Sequence, residues 1–315
     1  MTKLICCVAK AGKNFDRKKS SSGAVWQVLA TKCIKNGWIV YGAAFAEGLQ
    51  VRHIRCTSLP EVQKTFGSKY VQSNMGGIIR QILDDLAAGK YVLFAGTPCQ
   101  VAAVRKCANE NPNLFLCDII CHGVLSAQLF REYISWLETK KRAKVISFTF
   151  RDKSKGMSKQ RWKATLDSGK EITDTDVYAY NRIFYSDKMF RESCYSCKFA
   201  SPKRIGDLTI GDLHGYSEKF STILNDDFGV SSVVISTKKG MQLFEKCNSD
   251  LEWIECEFDD IKQPQLISSV KKKNGEIEWK TYEREGFSGL VKKYFDVSFK
   301  DKLIHTLKDI KRKMK

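Results

Sequence analysis

Hydrophobic residues recur at intervals of three and four in several stretches of the first half of the chain, the spacing that places side chains on one face of a helix. Glycine, proline or serine stands at the boundaries of these stretches, as at many helix ends. The pattern predicts helices from Ser22 to Gly37, over 77–88, from Pro98 and from Ser126, with inward positions Val25, Val28, Leu29 and Cys33 in the first, Ile79, Leu83 and Leu86 in the second, and Leu129, Phe130, Tyr133 and Leu137 in the fourth.

Shorter apolar or alternating runs between these helices predict strands over 38–45, 51–57, 91–95, 115–121 and 144–150. Beyond Arg151 the pattern loosens, which predicts a loop-rich stretch to residue 185 with a hairpin near 167–169. Strands return at 207–213 and 231–237, and a helix follows from Lys238. Because strands and helices alternate, we expect an α/β fold: a mixed sheet with flanking helices and a loop-rich, cysteine-bearing insertion.

The end of the sequence predicts a basic amphipathic helix. Its apolar positions stand among lysines and arginines at helical spacing: Leu303, Leu307, Ile310 and Met314. Such a helix can bind an acidic membrane surface or an acidic partner. The commoner alternative is a terminal helix that packs on the protein and leaves its basic face in water.

Composition narrows the classes of function. The 315 residues have 43% apolar content, and no apolar run approaches the roughly 20 residues that cross a bilayer. The first residues lack the features of a signal peptide, so we expect a cytoplasmic protein. A formal charge of +18 favours anionic partners. Nucleic acid is excluded as the expected partner because the chain has no zinc-finger spacing, RNA-binding motif or helix-turn-helix pattern.

Twelve cysteines are many for a cytoplasmic protein, where structural disulfides are rare, so metal or redox use is the better explanation. Four of them fall in predicted helices or strands and are expected to be packing residues: Cys33, Cys107, Cys247 and Cys256. The pair Cys194 and Cys197 has the spacing that turns two thiolates onto one metal or cluster. Thioredoxin-like motifs share this spacing, but Pro202 disfavours the helix that they need.

Two further cysteines occupy places where ligands are often presented. Cys99 follows a predicted buried strand and opens a helix, whose N-terminus favours a thiolate. Cys121 ends the next strand, so both cysteines are expected at one sheet edge. A buried structural thiol is the alternative for each, and zinc is the rival metal for four thiolates.

Two other segments have the composition of phosphate or cofactor contacts. The serines of 20–23 precede a helix and can bind an anion or simply cap that helix. Residues 67–73 combine glycine, lysine and tyrosine, which suits a nucleotide or a flavin. The chain contains neither the dinucleotide fingerprint GxGxxG nor a P-loop.

Taken in order, these segments resemble the coenzyme F420 hydrogenase/dehydrogenase beta subunit family. The matching stretches are 20–23, 40–43, 51–55, 67–72, 96–100, 118–123, 193–200 and 206–215. The resemblance implies a flavin-dependent oxidoreductase that binds FAD and a [4Fe–4S] cluster. It is strongest to bacterial members that look associated with polysaccharide synthesis.

The resemblance also implies roles for particular residues. The cluster ligands become Cys99, Cys121, Cys194 and Cys197, and the flavin contacts become Ser21, Ser22, Gly23, Lys69, Tyr70, Gln72 and Thr97. His122 and His214 are candidate proton donors, since an unperturbed imidazole titrates near neutral pH; a structural role is the alternative for both.

The sequence departs from the family at three places. Many relatives begin with a ferredoxin-like segment, and this sequence starts after the position where that segment ends. We therefore expect electrons from a separate ferredoxin-like donor. Ala24 replaces a glycine of the usual SSGG, and His214 replaces an aromatic residue, so the details of the flavin pocket are expected to differ.

On this interpretation the chain divides into three parts: 1–75 as the N-terminal part of the flavin-binding region, 76–250 as the core with the cluster cysteines, and 251–315 as a basic extension. Two other hypotheses stay open. One is a zinc-stabilised scaffold of a glycan-assembly pathway without redox activity. The other is a relative that has lost its electron input.

Overall fold

The computed structural model describes residues 4–215 and 217–295. The predicted helix with Leu303, Leu307, Ile310 and Met314 lies outside these residues. The strands are β1 (Ile5–Ala11), β2 (Ile39–Phe45), β3 (Val51–Cys56), β4 (Val92–Gly96), β5 (Leu114–Ile119), β6 (Val145–Asp152), β7 (Arg161–Leu166), β8 (Glu171–Ile172), β9 (Leu208–Asp212), β10 (Ser231–Ile235) and β11 (Leu251–Cys256). The helices are α1 (Val25–Lys35), α2 (Leu59–Gln63), α3 (Ile78–Ala87), α4 (Pro98–Ala108), α5 (Ala127–Lys141), α6 (Ala179–Tyr185), α7 (Glu192–Tyr195), α8 (Lys238–Lys246), α9 (Pro264–Ile267) and α10 (Glu276–Leu290).

A mixed sheet of eight strands forms the centre of the fold, in the order β11-β1-β10-β9-β5-β4-β2-β3. The four strands β2, β4, β5 and β9 are parallel to their neighbours in this series, and the outer pairings are antiparallel. The structure confirms the predicted α/β class with a mixed sheet and flanking helices. The division into three parts stays a prediction, and strands from each of those parts belong to this sheet.

Two local features near the start of the chain differ from what the sequence pattern predicts. The run Ile5–Ala11, which carries no predicted element, is a strand inside the large sheet and pairs on both sides, with β10 and with β11. Ser22 does not cap α1, because its hydroxyl donates to the carbonyl of Val230 at 2.6 Å. The residue before the helix is instead Ala24, in a left-handed conformation with φ of 65°.

The stretch beyond Arg151 is more ordered than its sequence predicts. β7 and β8, joined by the predicted hairpin, form a small antiparallel sheet with β6, and α6 contributes buried residues to the core beside it. The hydrophobic core beneath this sheet is rich in aromatic rings, with Phe130, Phe150 and Trp162 packed together. Residues 151–185 therefore belong largely to a second core of the fold.

Helices cover both faces of the large sheet. Residues of α1 and α8 pack on one face, and residues of α3 and α4 pack on the other. Among the predicted packing cysteines, Cys33, Cys247 and Cys256 are buried, while Cys107 is exposed on α4. Within the part of the chain that the structure describes, no helix is both long enough and apolar enough to cross a membrane.

Candidate functional site

Cys99 and Cys121 lie at the same edge of the large sheet. Cys99 is in the first turn of α4, after β4, and Cys121 follows the end of β5 by two residues. Because β4 and β5 are parallel neighbours, their carboxyl ends meet there. The predicted strand through Cys121 ends earlier, at Ile119, so this thiol belongs to a loop.

In the structure, the other three predicted ligand cysteines lie close enough to Cys121 to interact with it electrostatically. Burial raises the pKa of the Cys121 thiol to about 12, and the charges of Cys99, Cys194 and Cys197 also raise it, against a lowering hydrogen bond from the Gly123 amide. Burial likewise raises the pKa of Cys194, with contributions from Cys99 and Cys197. Thiols from three separate stretches of chain therefore converge.

The spacing of these groups bears on the kind of metal centre. In residues 4–215 and 217–295, no three histidine, cysteine, aspartate or glutamate side chains stand close enough to hold one metal ion. A zinc site with four cysteines bonds each sulfur at about 2.3 Å. An iron–sulfur cluster binds its four thiolate ligands through several irons, so the four sulfur atoms can stand farther apart than around one zinc ion. The donor chemistry, four thiols without a carboxylate among them, fits such a cluster.

The start of α4, where Cys99 lies, is fixed by a capping box. The Thr97 side chain accepts from the backbone of Gln100, and the Gln100 side chain oxygen accepts from the Thr97 amide at 3.0 Å. The Thr97 hydroxyl oxygen lies 3.1 Å from the sulfur of Cys99. Thr97, a predicted flavin contact, thus has a clear local role beside a candidate ligand.

A chain of hydrogen-bonded polar side chains supports the start of α4. The Gln100 side chain donates to the Ser73 hydroxyl at 2.9 Å, and that hydroxyl lies 3.0 Å from Nδ1 of His53. Nε2 of His53 lies 2.9 Å from the carbonyl of Ala95. A carbonyl only accepts, so Nε2 carries the proton and Nδ1 accepts from Ser73. Burial lowers the pKa of His53 to about 4, so the ring is neutral near pH 7 and this pattern of donors holds.

His122 follows Cys121 and is held by two side chains. Its Nε2 donates to Asp187 at 2.7 Å, and its Nδ1 accepts from Gln265 at 3.0 Å. Its ring packs edge to face on Phe190. His214 is exposed, two residues beyond β9. His122 is next to a candidate ligand in sequence, and His214 follows the carboxyl end of β9, the parallel neighbour of β5.

The two segments predicted to contact flavin meet each other. The hydroxyls of Ser21 and Ser68 are hydrogen-bonded at 2.6 Å. Gly23 lies against β1 so closely that a Cβ there would stand 2.4 Å from a backbone oxygen and 2.7 Å from the amide of Ser231. Only glycine permits this approach, and it holds the serine segment on the sheet.

The remaining predicted flavin contacts lie in the second segment, residues 67–73. Lys69 donates to three carbonyls of its own loop, and burial lowers its pKa to about 7. The Tyr70 ring stacks on Trp162 with centroids 5.7 Å apart. Gln72 is half-buried. Of these three residues, Tyr70 packs against the aromatic-rich core.

Sequence reasoning missed a polar cluster that joins the two sheets. Arg151 of β6 forms an ion pair with Asp212 of β9 and donates to Gln160 at 2.7 Å. Tyr185, 53% exposed, lies next to both Tyr70 and His122, with ring centroids 6.5 and 6.2 Å away. Aromatic side chains therefore connect the cysteine region to the serine region. The cluster escaped prediction because its members are distant in sequence.

Comparison with known proteins adds the family. Residues 89–260, more than half of the chain, match the family model for the C terminus of the coenzyme F420 hydrogenase/dehydrogenase beta subunit. The chain belongs to this family. Members of this family are redox proteins, and this chain is therefore a redox protein that is similar to these beta subunits.

A solved structure agrees at the level of fold. A chain of the xenon-derivatised F420-reducing [NiFe] hydrogenase complex from Methanosarcina barkeri is 16% identical and superposes with a TM-score of 0.54. The match covers 91% of this beta-subunit-like chain and 89% of that chain. No curated protein matches the sequence. The family match spans Cys99, Cys121, Cys194 and Cys197, which makes the cysteine site part of the shared region.

Proposed function

We propose that the chain is an iron–sulfur flavoprotein that passes electrons between an acidic ferredoxin-like carrier and an organic acceptor. The observation that supports this proposal most is the convergence of four thiols from three stretches of chain. When bound, a [4Fe–4S] cluster supplies one-electron transfer and FAD supplies the step from single electrons to a hydride. Cys99, Cys121, Cys194 and Cys197 are the proposed cluster ligands.

The proposed flavin position lies between the serine segment and the loop of Lys69. Ser21 offers a hydroxyl that it shares with Ser68, and Tyr70 offers a ring at the side that faces Tyr185. The Ser22 hydroxyl and the Lys69 amine already donate to backbone carbonyls, so these two residues shape the pocket through the loops that they hold. His122, held in place by Asp187, is the proposed proton-handling group near the cysteines. The assignment of the acceptor to polysaccharide synthesis rests on the resemblance alone.

The surface around the cysteines supports an acidic electron carrier as partner. Arg191 and Lys198 are exposed beside Cys194 and Cys197, and Arg191 lowers the pKa of the Cys194 thiol by its charge. Lys272 lies above the Tyr195 ring at 5.8 Å and also pairs with Glu192. Positive charge beside the proposed cluster favours approach of an acidic protein.

Paired cysteine variants test the proposal on one helix. Cys99 and Cys107 are both exposed on α4, so Cys99→Ser and Cys107→Ser disturb the same helix to a similar extent. We expect anaerobically purified wild-type protein and Cys107→Ser to contain iron, sulfide and broad visible absorbance. Cys99→Ser should lose most of all three. Colourless wild-type protein with stoichiometric zinc would instead support the scaffold alternative, and equal iron in both variants would exclude Cys99 as a ligand.

A further inference from the structure

A fully buried ion pair connects the two cysteine-bearing segments. Nη2 of Arg204 lies 3.0 Å from Oδ2 of Asp118, and the two side chains are only 1% and 0% exposed. Asp118 is on β5, shortly before Cys121, and Arg204 follows Cys197 in the loop that leads to β9. The pair therefore spans the distance between two of the three stretches that supply thiols.

The remaining donors of the guanidinium hold the loop that follows Cys197. Nη1 of Arg204 donates to the carbonyls of Phe199 at 3.1 Å and Ser201 at 3.2 Å. Its Nε donates to the hydroxyl of Thr209 on β9 at 3.2 Å. A single planar side chain thus fixes the loop to two strands of the large sheet, which a lysine with its point charge cannot do in the same way.

The backbone next to Arg204 is also attached to β5. The Asp207 amide donates to the carbonyl of Leu116 at 2.7 Å, and the Asp207 carboxylate accepts from the Leu116 amide at 2.8 Å. Gly206 lies so close to this strand that a Cβ would stand 2.9 Å from the amide of Asp118. The end of the loop is therefore attached to β5, and the guanidinium holds the part between Cys197 and Arg204.

We infer that Arg204 is a positioning residue which, with Asp118, holds the loop of Cys194 and Cys197 in register with Cys121 for a shared iron–sulfur cluster. This inference rests on the proposed function. A buried ion pair is rarely the best way to stabilise a fold, since apolar residues of the same volume often do as well. Side chains that orient ligands are, by contrast, a general requirement of metal sites.

The pair also sets the local charge. Arg204 and Asp118 together are neutral, so replacement of Asp118 by asparagine keeps the shape of the side chain and leaves the guanidinium charge uncompensated. The reduction potential of an iron–sulfur cluster depends on nearby charge. We therefore expect Asp118→Asn to move the potential of the bound cluster to a more positive value, which would show that the pair lies within electrostatic reach of the cluster.

The test uses the anaerobic, iron-loaded full chain and the variants Arg204→Gln, Arg204→Lys and Asp118→Asn. The control is Arg55→Gln, because Arg55 of β3 pairs with Asp85 through two hydrogen bonds three strands away from β5 in the same sheet, where the pair is more exposed. The first readout is the rate at which iron passes to a ferrous chelator. We expect Arg204→Gln to release iron about 10- to 100-fold faster than wild type, Arg204→Lys to be intermediate, and the control to match wild type.

The second readout is the midpoint potential of the cluster, with thermal unfolding as the measure of fold. Folded Arg204→Gln with wild-type iron release, or Asp118→Asn with a wild-type potential, would overturn the inference. If Arg204→Gln does not fold, Arg204→Lys decides in the same way, since wild-type release from it would show that the bonds to the two carbonyls are dispensable. A wild-type protein without iron would refute the proposed function itself, and this result is distinct from the other outcomes.

Discussion

His53 offers a quantitative test of the polar chain behind α4. The imidazole is 1% exposed, stacks on Phe94 with centroids 5.0 Å apart, and has both nitrogens hydrogen-bonded. Burial is the main reason for its low pKa, and the positive charge of Lys69 lowers the pKa further, while the bond to the carbonyl of Ala95 opposes both. Protonation in the folded state would put a proton on Nδ1, where the Ser73 hydroxyl now donates.

The size and sign of the effect follow from the two pKa values. The pKa of His53 is about 4 in the folded protein and 6.5 ordinarily. At about 1.4 kcal/mol for each pKa unit, this difference corresponds to about 3 kcal/mol. Above 6.5 the residue is neutral in both states and has no pH effect. As the pH falls from 6.5 to about 4, only the unfolded chain takes up the proton, so the free energy of unfolding falls.

The variant His53→Gln removes this titration, and His214→Gln serves as the exposed control. Urea unfolding followed by tryptophan fluorescence gives the free energy of unfolding of each protein from neutral to acidic pH. As the pH falls, we expect the free energies of unfolding of wild type and His214→Gln to fall in parallel. The difference between their free energies of unfolding and that of His53→Gln should shrink by up to about 3 kcal/mol. The carboxylates titrate equally in all three proteins, so their contribution cancels when the free energies of unfolding are compared. An advantage that stays constant down to about pH 4 would refute the reasoning.

Three further predictions follow from single contacts. Lys198→Glu should slow reduction of the protein by an acidic ferredoxin about tenfold at low salt, and this effect should disappear at high salt. Lys246→Glu also removes an exposed lysine above an aromatic ring and should leave the reduction rate unchanged, so equal rates for the two variants would exclude docking near Lys198. Gly23→Ala should cost about 1–3 kcal/mol in urea unfolding, because its Cβ meets backbone, and an unchanged midpoint would contradict this contact. Tyr133→Phe should cost about 1 kcal/mol by leaving the buried carbonyl of Val177 without the hydroxyl 3.0 Å away, and a thermal midpoint equal to that of wild type would contradict it.

Much of the large sheet is predictable from the sequence because its elements have local signals. The helix of Pro98 begins at that residue, and Ser126 caps α5 by accepting from the Leu129 amide at 3.1 Å. Gly37 and Gly89 follow α1 and α3 with positive φ, as the pattern predicts. Capping and periodicity are properties of neighbouring residues, so one sequence contains them.

The elements that the sequence did not predict are those that only distant contacts stabilise. β1 is buried along almost its whole length and shows no alternation, so its short apolar run fits a buried helix segment as well as a strand. β7 alternates half-buried polar residues with buried Trp162, Ala164 and Leu166, so the strand signal is present, but it covers only six residues that follow a polar stretch. The pairing of Asp118 with Arg204 joins residues 86 positions apart, and no local rule predicts such a partner.

The candidate site is distinguished from the other cysteines by environment rather than by number. All twelve cysteines lie in the described part of the chain, and seven are buried: Cys6, Cys7, Cys33, Cys56, Cys117, Cys247 and Cys256. Burial raises the pKa of each of these seven thiols and keeps them protonated. Burial also raises the pKa of Cys121 and Cys194, so access to solvent, and not the pKa, separates the two groups.

Of the five cysteines that reach solvent, Cys107 is on the far part of α4, and the other four are the converging set. The charges of the neighbouring thiols contribute to the raised pKa values of Cys121 and Cys194, and a bound cation would remove that penalty. Access to solvent together with convergence from three stretches of chain therefore separates these four thiols from the seven buried ones.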